Sequence, residues 1–79
     1  MAVTLRFYAA ARKATGISEM TLESSVALHL LDQAVAAYPK LLGVLPQCSF
    51  LLNEVALHDF DLRVPDGSTL DVLPPFAGG

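Results

Sequence analysis

The chain has one cysteine, Cys48, and two distant histidines, His29 and His58. A single thiol excludes an internal disulfide, and this set is too small to build a structural zinc site. Charge is scarce as well: charged residues are 16% of the chain against 53% hydrophobic. The basic residues Arg6, Arg12, Lys13, Lys40 and Arg63 are scattered, and the net charge is −3. A surface that tracks phosphates needs the opposite balance, so no nucleic-acid partner is expected. No apolar run approaches the roughly 18–20 residues of a membrane span. Met1 to Tyr8 alternates and does not form the apolar core of a signal peptide. The expectation is a cytoplasmic protein with no membrane partner, and a lone reduced thiol fits that compartment. Gly-x-Gly-x-x-Gly and P-loop patterns are missing too, so the chain is not expected to cradle a nucleotide.

What is present is a short, apolar chain. Seventy-nine residues form one domain, and a domain of this size buries only about 60–65% of the surface its unfolded chain exposes. Without disulfide or metal staples, it depends on a compact core or on a partner covering part of its surface. So high an apolar fraction cannot all be hidden in so small a body, so an exposed apolar docking patch is expected.

The hydrophobic period changes along the chain. Val3, Leu5 and Phe7 alternate with Thr4, Arg6 and Tyr8, which predicts a half-buried strand. Ala9 to Ala14 predicts a short helical turn stopped by Gly16. Ser18 to Glu23 alternates again, with Met20 and Leu22 inward. Ser24 or Ser25 offers an N-cap, after which Leu28, Leu31, Val35 and Tyr38 form one helical stripe, ended at Pro39. Leu41 to Gln47 reads as a loop with apolar anchors. Phe50 to Asn53 is a short strand, turning at Asn53-Glu54 into Val55 to Leu57. Asp66-Gly67 is a turn signal, and Thr69 to Leu73 is a last strand with Leu70 and Val72 inward. The order β-β-α-β-(β)-β predicts an α+β domain of the β-grasp type. Its mixed sheet has four or five strands, one main helix covers one face, and the first and last strands lie side by side and parallel.

Catalytic constellations are weak. Ser49, His58 and Asp59 can be drawn as a triad, but nothing in their spacing positions them. His29 reads as a solvent-facing helix residue, and Cys48 as a small half-buried residue rather than a reactive thiol. The informative stretch is the end, Leu73-Pro74-Pro75-Phe76-Ala77-Gly78-Gly79. Two prolines stop the sheet ladder, and the small residues beyond them let two walls approach the backbone closely. From Phe76 onward four residues reach at most about 13 Å, enough to enter a partner's pocket. A tail over residues 74–79 ending in an unshielded carboxylate is therefore the candidate site.

The whole chain resembles the ubiquitin-like sulfur-carrier family, most closely its molybdopterin synthase small-subunit branch. The resemblance is carried by Val3-Thr4-Leu5-Arg6-Phe7-Tyr8-Ala9, Ala11-Arg12, Gly16, the Val26 to Tyr38 helix and Leu52-Asn53. Its strongest part is Asp66-Gly67-Ser68-Thr69-Leu70-Asp71-Val72 running into Pro74-Pro75-Phe76-Ala77-Gly78-Gly79. Departures are Lys13 in place of an acidic residue, Leu52 and Glu54 in the usual Val-Asn-Gly turn, and Phe76 in place of valine or isoleucine.

The resemblance implies that an E1-like adenylyltransferase, using its own ATP and magnesium, activates the Gly79 carboxylate. A sulfur donor such as a cysteine desulfurase or a rhodanese would then convert it to a thiocarboxylate. It implies further that the chain binds no cofactor or metal and is not catalytic alone. Sulfur would pass to a pyranopterin precursor inside the large molybdopterin synthase subunit. In that reading Gly79 reacts, Gly78 and Ala77 give narrow access, and Phe76, Pro75 and Pro74 aim the tail. Tyr8 and Leu73, with Phe76, offer docking surface on the sheet face away from the helix. The alternatives are a carrier for tRNA thiolation, thiazole or cysteine synthesis, a ubiquitin-like modifier, and an inert interaction module.

Overall fold

The computed structural model describes residues 2–75. Strand β1 (Ala2–Phe7) buries every second residue, with Val3, Leu5 and Phe7 wholly enclosed. Such alternation is what one covered sheet face requires. Helix α1 (Ala9–Thr15) follows and ends on Gly16, whose φ of 77° closes the helix by donating its N–H to the Arg12 carbonyl at 2.7 Å. A Cβ at Gly16 would meet nothing within 4 Å. Glycine is thus favoured there by backbone conformation, not by space. Strand β2 (Glu19–Glu23) returns antiparallel to β1, its three outward residues Glu19, Thr21 and Glu23 facing water.

Two strands of two residues each, β3 (Ser25–Val26) and β6 (Arg63–Val64), pair with one another as a separate small sheet. Helix α2 (Ala27–Ala37) starts directly from β3. Neither expected serine caps it. Its N-cap is Val26, which makes no side-chain cap bond. The first helical amides are satisfied instead by backbone carbonyls of the 60–62 loop, Ala27 N–H donating to Leu62 O and Leu28 N–H to Phe60 O, each at 2.9 Å. Ser24 Oγ is engaged elsewhere, donating to Val64 O at 2.6 Å.

The buried face of α2 also differs from the expected stripe. Ala27, Leu30, Leu31 and Ala34 point to the core, while Leu28 is 50% exposed. Leu31 of the expected stripe is buried and Val35 packs against the core, so the buried face is shifted toward Ala27, Leu30 and Ala34 and away from Leu28. Beyond α2, Pro39 opens a 3-10 turn (Pro39–Gly43), and a second follows at Leu45–Gln47. The segment expected to be a loop is therefore wound, and it plants Leu41 fully in the core.

Strands β4 (Ser49–Leu52) and β5 (Val55–Ala56) make a tight hairpin. Both turn residues have positive φ, 49° at Asn53 and 69° at Glu54. A two-residue hairpin turn that matches strand twist calls for such values. Strand β7 (Thr69–Leu73) closes the fold. The main sheet has the order β2-β1-β7-β4-β5, with β7 parallel to β1 and antiparallel to β4. First and last strands are side by side, as a β-grasp arrangement requires. The helix-side core is Val3, Leu5, Phe7, Leu70 and Val72 from the sheet, against Leu30, Ala34 and Leu41.

Candidate functional site

The expected reacting end, Phe76, Ala77, Gly78 and Gly79, lies outside the described residues. What the structure does describe is the base from which that end begins. Strand β7 is the central strand, held on both sides: Phe7 pairs with Val72, and Ser49 pairs with Leu73. Leu70, Asp71 and Val72 are all buried. Pro74, just past the strand, is buried too, whereas Pro75 is exposed. Neither proline has an amide to extend the ladder, so sheet pairing stops at a rigid edge.

On the sheet face away from α2, side chains alternate opposite to the core set. Arg6 sits there beside Asp71, its register partner across the parallel β1–β7 pair. Arg6 Nε donates to Asp71 Oδ1 at 2.7 Å and Nη2 donates to Oδ2 at 3.1 Å, a two-pronged ion pair. The pair raises the Arg6 pKa, first through the hydrogen bond to Asp71 and then through its charge. The guanidinium carbon also lies 6.0 Å from the centroid of the Tyr8 ring, at the outer limit of a cation–π contact. Tyr8 continues the outward alternation one residue beyond β1, and its N–H donates to Val72 O at 3.3 Å. Tyr8 and Leu73 are both half-buried. The two sequence-predicted docking residues that the structure describes thus flank the end of β7, on the face α2 leaves open.

The chain makes a sharp departure next to Tyr8, because Ala9 has a φ of 47°. A non-glycine residue in that region is strained by about 1 kcal/mol, and the strain turns the backbone from β1 straight into α1. A second fixed corner is Asn53. Its Oδ1 accepts the Thr69 N–H at 2.9 Å, its Nδ2 donates to Ser68 Oγ at 3.3 Å, and its own N–H donates to Thr69 O at 2.9 Å. These bonds pin the β4–β5 turn to the start of β7, so both ends of the strand that leads to the tail are anchored. The sequence reading saw Asn53 as a turn residue and missed this second role. The side chain's capacity to donate and accept at once was the available signal.

The remaining candidates stay apart. Ser49 and His58 line one groove, but no hydrogen bond among the described residues joins Ser49, His58 and Asp59; Asp59 Oδ1 accepts the Asp61 N–H at 3.0 Å instead. His29 is exposed on α2. Cys48 is half-buried, donates its thiol to Val44 O at 3.3 Å, and has its pKa raised by burial, which holds it as the unreactive thiol. No helix of the described residues is long and apolar enough to cross a membrane.

Comparison with known proteins adds four likenesses to this geometry. The model of the ThiS family matches residues 5–79. A molybdopterin synthase sulfur carrier subunit of Chlamydomonas reinhardtii is 32% identical over 83 aligned positions, covering the whole of both chains. Among solved structures, the small archaeal modifier protein 1 of Methanosarcina acetivorans superposes with a TM-score of 0.86 at 22% identity, over 99% of this chain and 96% of that one. A complex of subunits 1 and 2 of molybdopterin-converting factor from Helicobacter pylori contains a match with a TM-score of 0.74 at 23% identity, over all of both chains. At these identities the two structures speak for the ubiquitin-like β-grasp fold.

Proposed function

The chain belongs to the ThiS family, and from that premise we propose that it is a sulfur carrier, loaded at the Gly79 carboxylate and serving as the small subunit of a molybdopterin synthase. The observation that carries the reading is the family match itself, which runs unbroken through the described body and on to Gly79. Full-length similarity to the Chlamydomonas sulfur carrier subunit supports the molybdopterin branch.

The chemistry follows from the electrophile. A carboxylate carries full negative charge and has no leaving group, so sulfur cannot displace its oxygen directly. An oxygen of the Gly79 carboxylate attacks the α-phosphorus of ATP bound by an E1-like partner, and pyrophosphate departs. The outer sulfur of a persulfide on a cysteine desulfurase or rhodanese then attacks the acyl carbon; the new C–S bond replaces the bond from that carbon to the phosphate oxygen, and AMP leaves. A thiol next cleaves the resulting acyl disulfide, taking the donor's sulfur into a disulfide and freeing the thiocarboxylate. The thiocarboxylate is a nucleophile whose sulfur passes to the pterin precursor in the large subunit, regenerating the carboxylate after hydrolysis.

The described body contributes presentation. Strand β7, enclosed between β1 and β4, gives the tail a fixed origin, and buried Pro74 holds the exit direction. The outward face with Arg6, Tyr8 and Leu73 offers the partner a surface beside that origin. Gly78 and Gly79 add no bulk to a narrow channel. Neither ATP nor magnesium belongs to this chain in this scheme.

Mass spectrometry of protein isolated from cells that contain the activating enzyme tests the reading. A fraction heavier by the sulfur-for-oxygen difference, localised to Gly79, is expected; its absence under conditions that load a known carrier overturns the proposal. The fold likeness to a small archaeal modifier protein favours one second reading, conjugation of Gly79 to lysines of target proteins. A ladder of higher-mass species that survives denaturant and disappears on deletion of Gly79 would favour it over the carrier.

A further inference from the structure

The chain's five cations are spread through the sequence, and the fold gathers all but Arg63 at one end. Strands β1 and β7 run parallel with Phe7 beside Val72, so both finish at the same end of the sheet. Helix α1 springs from that end of β1 and packs against β7 and the 3-10 turn Pro39–Gly43. Exposed Arg12 and Lys13 of α1 and exposed Lys40 of the turn thus stand at the end where β7 releases Pro74 and Pro75. Arg6 lies one register pair earlier, between Glu19 and Asp71 on the neighbouring strands. Arg12, Lys13 and Lys40 make no salt bridge among the described residues. Lys13, a departure from the family pattern, makes this feature the chain's own.

The far end has the opposite sign. Exposed Glu54 and Asp66 stand there, because Asn53 ties the β4–β5 turn to Ser68 and Thr69 at the start of β7. Exposed Glu23 stands there too, paired with Ala2, whose carbonyl accepts the Gly67 N–H. Arg63, in the short strand before Asp66, is the cation left at this end. A chain of net charge −3 therefore presents a basic end around the exit of its tail and an acidic end away from it.

Reach fixes what covers the basic end. The residues after Pro75 span at most about 13 Å, so a body that receives Gly79 lies against the end from which the tail leaves. A stable interface takes about 800 Å² of each partner, much more than the exit alone, and so extends over α1 and the Pro39–Gly43 turn. A second copy has only its acidic far end to offer. Neither the groove beside α2, lined by Leu28, Asp32 and Leu42, nor the one lined by Ser49 and His58 includes Glu23, Glu54 or Asp66. No recess for a tail accompanies that charge.

We propose that the basic end docks on an acidic rim around the tail channel of the large subunit, with Lys13 and Lys40 as specificity-determining contacts. The inference rests on the carrier reading, because it needs the tail to be received, and it adds the sign of the surface that receives it. Such a rim steers the tail end of the carrier toward the channel and turns the acidic end away.

The test titrates the full chain against the purified large subunit of its own molybdopterin synthase at rising salt. Affinity is expected to fall severalfold from about 50 to about 300 mM salt, as screening shortens the reach of exposed charges. Lys13→Glu and Lys40→Glu are each expected to weaken binding by about fivefold, chiefly through the association rate. Arg63→Glu makes the same change of charge at the far end and is expected to stay within about twofold of the unaltered chain. All three positions are exposed, and spectral dispersion checks the fold of each variant. Binding indifferent to salt, or equal losses from Arg63→Glu and the lysine variants, would overturn the proposal and leave the carrier reading in place. Self-association lost with Lys13→Glu would make a second copy the occupant and overturn it as well. So would no binding of the unaltered chain at low salt, and the presence or absence of sulfur on Gly79 in cells then tells whether the carrier reading falls with it.

Discussion

Arg6 and Asp71 stand opposite one another on the parallel pair of the first and last strands, joined by hydrogen bonds of 2.7 and 3.1 Å. Their exposures are unequal: the Arg6 side chain is 41% accessible and that of Asp71 only 8%. Removing Arg6 leaves a nearly buried carboxylate without its partner, whereas removing Asp71 frees a guanidinium to reach water. Arg6→Ala is therefore expected to lower the denaturation midpoint more than Asp71→Ala does. Equal losses in parallel urea titrations would mean that the carboxylate is better solvated than the structure has it.

The face that α2 buries can be tested with two leucines. Leu30 is fully enclosed and Leu28 is half exposed. Leu30→Ala should cost about 2–5 kcal/mol, and Leu28→Ala should change stability by less than about 0.5 kcal/mol. Chemical denaturation measures both, and the reverse order would restore the stripe that the larger residues suggest.

Glu54 holds a φ of 69° in the hairpin turn, a conformation glycine adopts without steric cost. Glu54→Gly should stabilise the domain by up to about 1 kcal/mol, part of the gain being offset by the greater freedom of the unfolded chain. Asn53→Ala should destabilise it, because Thr69 N–H and Ser68 Oγ lose a partner in one step. Thermal melts of the two variants should move in opposite directions.

Burial raises the pKa of Cys48. A folded pKa above the unfolded one stabilises the domain fully below the unfolded value, and the stabilisation is lost as pH rises through the folded value. Stability should therefore fall on the alkaline side of the ordinary thiol range, and Cys48→Ala should flatten that part of the profile. Alkylation of the folded protein at neutral pH should be slower than that of the unfolded chain. A fast reaction in the native state would show an accessible thiolate.

Deleting Gly79 should leave the melting curve within the error of the full chain, since a glycine brings no side chain to a core. The same deletion should abolish adenylation by an activating enzyme, read as ATP–pyrophosphate exchange. An unfolded deletion variant would make the end of the chain structural.

How much could be read in advance varies by element, for physical reasons. The alternation of Val3, Leu5 and Phe7 and of Leu70 and Val72 announced both central strands, because a period of two has one solution when a single face is covered. Gly16, Asn53-Glu54 and Asp66-Gly67 marked turns whose dihedral demands are local. The cap of α2 was misread, and its face in part. Backbone carbonyls from a loop more than thirty residues away satisfy its first amides, and the buried face takes in Ala27, Leu30 and Ala34 beside the expected Leu31, leaving Leu28 half exposed. The strands β3 and β6 have two residues each, too few to show a period. Of the candidate site, alternation alone assigned Tyr8 and Leu73 to the outer sheet face, while the groove beside α2 was invisible because its lining comes from segments distant in the chain.

Local sequence determined where the longer strands run, where turns fall and which strand residues face inward, since each of these depends on neighbours a few positions apart. Only the tertiary structure decided which side of α2 meets the sheet, how Asn53 ties one turn to a distant strand, and where exposed leucines and carboxylates gather. Those outcomes depend on contacts between residues far apart in the chain, and no local pattern encodes the distance between them.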